Sequence, residues 1–186
     1  TLKAVIPEKL GDYQWFLRIA MELAGILGEL HQSNIVHQDI KPDNILINGD
    51  QVKITDFGIS AEITHERREI YNPDLIEGTL PYMSPEQTGR INRTIDYRTD
   101  LYSLGITFFE MLTGRRPFES DDPMEMIHFH IAKQPTPLSD INAQIPLAIS
   151  DIVMKLLSKA ADDRYQNSFG LLADLHRCDE LIVQQG

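Results

Sequence analysis

His37-Gln38-Asp39-Ile40-Lys41-Pro42-Asp43-Asn44, followed shortly by Asp56-Phe57-Gly58, is the stretch on which the reading of this chain turns. It gathers a carboxylate able to act as a base, a cation and two hard oxygen ligands within a short run. Between the two motifs, Ile45-Leu46-Ile47 and Val52-Lys53-Ile54 are short β-branched and apolar runs. Asn48-Gly49 is the dipeptide that best tolerates the positive φ of a tight turn, so a β-hairpin is predicted. Folding back there sets residues 41–44 beside residues 53–56. Asn44 and Asp56 then stand on neighbouring strand ends, where their oxygens suit a Mg²⁺ ion that keeps water and phosphate oxygens as its remaining ligands. Lys41 faces the same phosphates.

Outward from the hairpin the pattern is helical. Phe16, Ile19, Leu23, Ile26, Leu27 and Leu30 recur at three- and four-residue steps, predicting one long amphipathic helix that ends near residues 31–34 and delivers the chain into the Asp39 loop. Residues 100–113 are apolar nearly all round, as in a helix buried on every side, and Gly114 with Pro117 beyond it is a stop signal. Residues 123–133, 146–158 and 168–179 predict three further helices, the first two opened by proline. Residues 59–83 lack periodicity and predict a long loop. His128 and His130 stand two apart on a helix and face different directions, a poor metal pair, and both are expected at the surface. Arg67-Arg68, Arg90 and Arg93 are expected to be solvated.

At 186 residues, 42% hydrophobic and 24% charged, the chain fits one domain with a real core. A net charge of −11 argues against nucleic acid as a partner, because a phosphate backbone needs a basic face. The single cysteine, Cys178, excludes an internal disulfide and fits a reducing compartment. No apolar run approaches the roughly 18 to 20 residues that span a bilayer. A cytoplasmic location is therefore expected.

The constellation resembles the catalytic core of the eukaryotic-type serine/threonine protein kinases. Resemblance assigns Asp39 to orienting the substrate hydroxyl and accepting its proton, Lys41 to stabilising the transferred phosphoryl group, and Asn44 and Asp56 to holding Mg²⁺. Lysine followed by proline after the aspartate looks like the serine/threonine-specific form of this loop. The likeness continues in family order: Gly78-Thr79-Leu80-Pro81-Tyr82-Met83-Ser84-Pro85-Glu86, Asp100-Leu101-Tyr102-Ser103-Leu104-Gly105, Gly114-Arg115-Arg116-Pro117-Phe118 and Asp163-Arg164-Tyr165. Thr79 resembles the threonine that hydrogen-bonds the catalytic aspartate and lysine. Glu86 and Arg164 resemble a structural ion pair, and His37 a structural histidine. The run from Glu86 to Arg93 resembles kinase modules of large multi-domain bacterial signalling proteins.

What the resemblance implies is mainly α with a small β-hairpin, a protein-kinase-like C-terminal lobe occupying residues 1–186. No Gly-x-Gly-x-x-Gly loop, strand lysine or partner helix glutamate precedes the long helix, so the N-terminal ATP-binding lobe is expected to be missing. The implied partners are ATP with Mg²⁺, a protein substrate and that lobe of the parent chain, and the chain alone is expected to be inactive. A silent pseudokinase or docking module, and a small-molecule phosphotransferase sharing the His-x-Asp-x-x-x-x-Asn loop, are the alternatives. Gln38 stands where many members regulated by loop phosphorylation have arginine, which leaves no bidentate partner there for a phosphate on Ser60, Thr64 or Tyr71.

Overall fold

The architecture is mainly helical with a small antiparallel hairpin, and the computed structural model describes residues 1–49, 51–57, 61–62 and 78–185. Gly58, Ser60, Thr64, Arg67, Arg68 and Tyr71 lie outside the described residues. Helix α1 spans Leu2–Lys9 and α2 spans Tyr13–Gln32; β1 (Ile35–Val36), β2 (Ile45–Asn48) and β3 (Gln51–Ile54) follow, and β4 is Ala61–Glu62. Then come α3 (Arg98–Thr113), α4 (Pro123–Ala132), α5 (Leu138–Ile141), α6 (Leu147–Leu156) and α7 (Ser168–Gln185).

The long helix forms where its periodicity places it. Asp12 caps it, its carboxylate accepting from the Trp15 amide at 3.0 Å. The face carrying Phe16, Ile19, Leu23 and Leu27 is buried. It meets α3, where Phe16 sets its ring edge-on to Phe108 with centroids 5.3 Å apart. Helix α3 is the pillar of the core, with 13 of its 16 residues buried, and it stops at Gly114, whose φ of +73° is cheap only for glycine. Gly105 lets α6 close on this pillar: a Cβ there would stand 2.8 Å from the Cβ of Leu156.

The hairpin pairs Ile45 with Ile54, Leu46 with Lys53, Ile47 with Val52 and Asn48 with Gln51. Asn48 is thus the last strand residue, and the turn begins one position later than its sequence suggests, at Gly49 (φ +57°). Burying Ile45, Val52 and Ile54 fixes this register, because a one-residue slip would expose all three. A second two-stranded pairing, Ile35 with Glu62 and Val36 with Ala61, has no counterpart in the sequence pattern. Nor does α1, whose interior Pro7 reads as a helix breaker. Eight residues survive it because Leu2 and Ile6, one turn apart, are both buried.

His130 departs from the surface position expected of it. It is fully buried while His128 is exposed, as their spacing on α4 demands of one of the two. Its Nδ1 sits 3.2 Å from the Tyr102 hydroxyl. Burial, and then the nearby Lys159 ammonium, push the imidazole down to about 4. Lys159 itself is lowered to about 7 by burial and by Arg164. It donates to the Phe129 carbonyl at 3.0 Å and lies 4.4 Å over the Phe118 ring. Arg93 is paired as well, donating to Asp162 at 2.6 Å. No helix of the described residues is long and apolar enough to cross a membrane.

Candidate active site

The loop that joins β1 to the hairpin is held from beneath by α3. Asp100, in the first turn of that helix, is fully buried and accepts from the His37 amide at 2.8 Å and the Gln38 amide at 2.7 Å. The His31 ring at the end of α2 adds a third partner at 2.9 Å from Nε2, and its Nδ1 stands 3.2 Å from the Ser168 hydroxyl that begins α7. A buried carboxylate without such partners would be strongly disfavoured. The helix N-terminus adds its own positive end. In the sequence Asp100 marks only the start of a helix; a carboxylate just ahead of the apolar run 101–109 was the signal that it had to be bonded.

Ile40 and Ile45, both fully buried, anchor the loop's two ends. Between them the polar side chains converge. Lys41 Nζ donates to both carboxylate oxygens of Asp39, at 3.0 and 2.8 Å, and to the Thr79 hydroxyl at 3.0 Å. Thr79 in turn donates to Asp39 Oδ1 at 3.0 Å across forty positions of sequence. Asn44 Nδ2 donates to the Asp39 backbone carbonyl at 2.9 Å and to its carboxylate at 2.8 Å. Four of the five residues singled out from the sequence therefore form one hydrogen-bonded cluster.

Asp56 is the fifth and stands apart. It is exposed, with φ +65°, a left-handed conformation that a non-glycine residue holds at a cost. The hairpin delivers it, since the Thr55 amide and hydroxyl both donate to the Asn44 carbonyl, at 2.9 and 3.1 Å. Asn44 and Asp56 are thus held on adjoining chain segments. With the Asn44 amide nitrogen committed to Asp39, its carbonyl oxygen and the Asp56 carboxylate are hard donors of the kind that Mg²⁺ accepts, and the residues fit that ion.

His37 lies behind the loop, fully buried, with Nε2 3.1 Å from the Thr55 carbonyl and its ring centroid 4.7 Å from that of Phe57. It thereby ties the two motifs together. Below the Thr79 segment, Glu86 and Arg164 form a closed ion pair. The guanidinium donates to Glu86 Oε1 at 2.7 Å and Oε2 at 2.9 Å, and spends its other donors on the carbonyls of Ser158, Arg98 and Lys159. Burial alone would raise the Glu86 carboxyl; the Arg164 contacts outweigh it and hold the carboxyl below its usual range.

Residues 11–172 match the family described as the protein kinase domain. Among curated proteins, a probable serine/threonine-protein kinase of Clostridium perfringens is 38% identical over 95% of this chain and 26% of its own length. The serine/threonine-protein kinase PknB of Mycolicibacterium smegmatis is 36% identical over 88% of this chain and 26% of its own length. A protein named hybrid signal transduction histidine kinase G, of Dictyostelium discoideum, is 35% identical over 88% of this chain and 7% of its own length. This chain spans little more than a quarter, or less, of the length of these relatives.

Proposed function

The chain belongs to the protein kinase domain family, and on that premise we propose that it is the catalytic region of a serine/threonine protein kinase that transfers the γ-phosphoryl group of ATP to a protein hydroxyl. The observation that carries this reading is the joining of Asp39, Lys41 and Thr79, brought from forty positions apart into mutual hydrogen bonding at about 3 Å. A residue placed only to cap a turn has no need of such partners.

In this proposal Asp39 accepts the proton of the substrate hydroxyl as the oxygen attacks phosphorus. Its carboxylate is already aimed by Asn44 from one side and Thr79 from the other. Lys41, 14% exposed at its side chain and able to pivot on four carbons, swings from Asp39 toward the transferred group and offsets its charge. Thr79 holds both partners while this happens. Asn44 and Asp56 would hold Mg²⁺, which when bound neutralises charge on the phosphate oxygens.

The proposal extends to the domain plan. Residues 1–186 serve as the C-terminal lobe, and the glycine loop and strand lysine that cover the phosphates come from a lobe outside these residues. Support comes from the helices, hairpin and ion pair described above, which follow one another in the order that the resemblance implies. The partners are ATP, a protein substrate and that second lobe. Labelled ATP and Mg²⁺ supplied to the full-length protein with a generic serine/threonine substrate provide the test. Transfer is expected there and negligible transfer from residues 1–186 alone; absence of transfer by the full-length protein would overturn the reading.

A further inference from the structure

The backbone just before Asp39 is gripped at two points. Gln38 holds φ +68°, a conformation that a non-glycine residue keeps only where its surroundings over-determine it. One of those constraints is Asp100, which takes the Gln38 amide. The other comes from far away in sequence: Gln87 Nε2 donates to the Gln38 carbonyl at 2.9 Å across forty-nine positions.

Gln87 lies in the short turn Pro85–Thr88, and its side-chain oxygen accepts from the Ser84 amide at 2.9 Å. That half of its bonding is local, a glutamine reaching back to cap its own turn. The bond to Gln38 adds nothing to the cap. With only 8% of the residue exposed, both ends of the amide are spent inside the protein. The neighbouring Glu86 is turned the other way, onto Arg164 and Thr99. Adjacent residues of one turn thus serve two structures, the lower helices and the loop.

The Gln38 carbonyl belongs to the same rigid peptide plane as the Asp39 amide. Fixing that oxygen fixes the plane from which the Asp39 side chain projects, and the Asp39 amide is itself directed at His37 Nδ1, 3.3 Å away. We propose that Gln87 is a positioning residue for the Asp39 loop: its amide locks the Gln38–Asp39 peptide and so keeps the Asp39 carboxylate between Lys41, Asn44 and Thr79. The loop is thereby assembled by a neutral amide, with no charged side chain at position 38. This inference rests on the kinase reading of the same loop.

Gln87→Glu in the full-length protein isolates the bond. The glutamate keeps an oxygen for the Ser84 amide and has the same shape, but as a carboxylate it has no N–H for the Gln38 carbonyl. Its kcat is expected to fall about tenfold, equivalent to about 1.4 kcal/mol in the barrier, with KM for ATP unchanged; the unpaired carboxylate at this buried position also lowers the unfolding midpoint, so rate and midpoint are followed together across pH. Deuterium exchange across residues 36–41 is expected to speed up. Lowering the pH toward about 5 protonates the new carboxyl, which then donates to Gln38, so the ratio of variant to wild-type rate climbs back toward one. Gln87→Met, which restores no donor at any pH, shows the loss without the recovery.

Wild-type kcat and unchanged exchange in Gln87→Glu would overturn the proposal. So would a kcat of Gln87→Glu that stays low near pH 5 while its unfolding midpoint recovers, for Gln87 would then hold up the fold and not the loop. Faster exchange across residues 36–41 in a protein whose wild type transfers no phosphoryl group would keep the lock and remove the kinase reading instead.

Discussion

Two carboxylates in this molecule each bind one cation and one threonine hydroxyl, and they are built to opposite ends. Asp39 is joined by Lys41 and Thr79, Glu86 by Arg164 and Thr99. Around Glu86 the side chains are 0 and 2% exposed, and the planar guanidinium has every donor engaged by an oxygen. Nothing there can move without stranding a charge. Around Asp39 the cation is a compact ammonium on a flexible stem, at the edge of solvent, bonded to a residue only two positions away. Its bonds can be exchanged for bonds to a phosphate without unpacking anything. A carboxylate, a cation and a threonine hydroxyl thus make a fixed rivet in one place and an exchangeable set of bonds in the other, and burial with the choice of arginine or lysine makes the difference.

The comparison breaks first on Asp39. Asp39→Asn in the full-length protein preserves shape and loses the proton acceptor, so kcat is expected to drop about 10²- to 10⁴-fold while the unfolding midpoint holds. Initial rates and thermal melts on one preparation check this. A variant that unfolds would mean that the Asp39 cluster is a second rivet.

Glu86→Gln probes the other side. It keeps the shape and strands the buried Arg164 charge, with an expected stability loss of about 3–5 kcal/mol by denaturant unfolding. Full stability with lost turnover would invert the roles assigned to the two clusters.

The smallest effect sharpens the lesson that buried cations need a carboxylate. His130 and Lys159 have none among the described residues: the titratable or polar groups facing the imidazole are the Tyr102 hydroxyl, the Lys159 ammonium and the Leu80 backbone, of which the last favours the charged ring but is outweighed by burial and Lys159. His130 titrates at about 4 in the folded chain against 6.5 for a free imidazole. Between those values the unfolded chain binds the proton and the folded chain does not, so acid favours unfolding; below about 4 both are protonated and the cost stays constant. Stability is expected to fall as pH drops from about 6.5 to about 4, on the order of 1 to 3 kcal/mol, and the fall to shrink in His130→Gln. Unfolding midpoints of the two proteins across that range decide it.

Much of this was legible in one dimension. The periodicity of residues 16–30 fixes α2, and the all-round apolar run fixes α3, because a helix's burial is written at every third or fourth position. Asp39, Lys41, Asn44 and Asp56 were found because a loop and a hairpin set their spacing locally. Helix α1 was hidden by Pro7, whose local penalty is outweighed by the burial of Leu2 and Ile6 against partners remote in sequence. The hairpin turn was placed one residue early because register answers to which strand face is buried, and the dipeptide only permits it.

Sequence by itself therefore determined the residues that make up the Asp39 loop and the hairpin, and their order along the chain, since each motif is short and its geometry local. Which atoms meet was decided only by the tertiary structure. Gln87 reaches Gln38, Asp100 takes two loop amides, His31 bridges Asp100 to Ser168, and His130 turns inward beside Lys159. Each of these joins residues from separate elements whose spacing follows no period. Only the folding of the chain around α3 brings such groups to hydrogen-bond distance, and only burial makes their pairing obligatory.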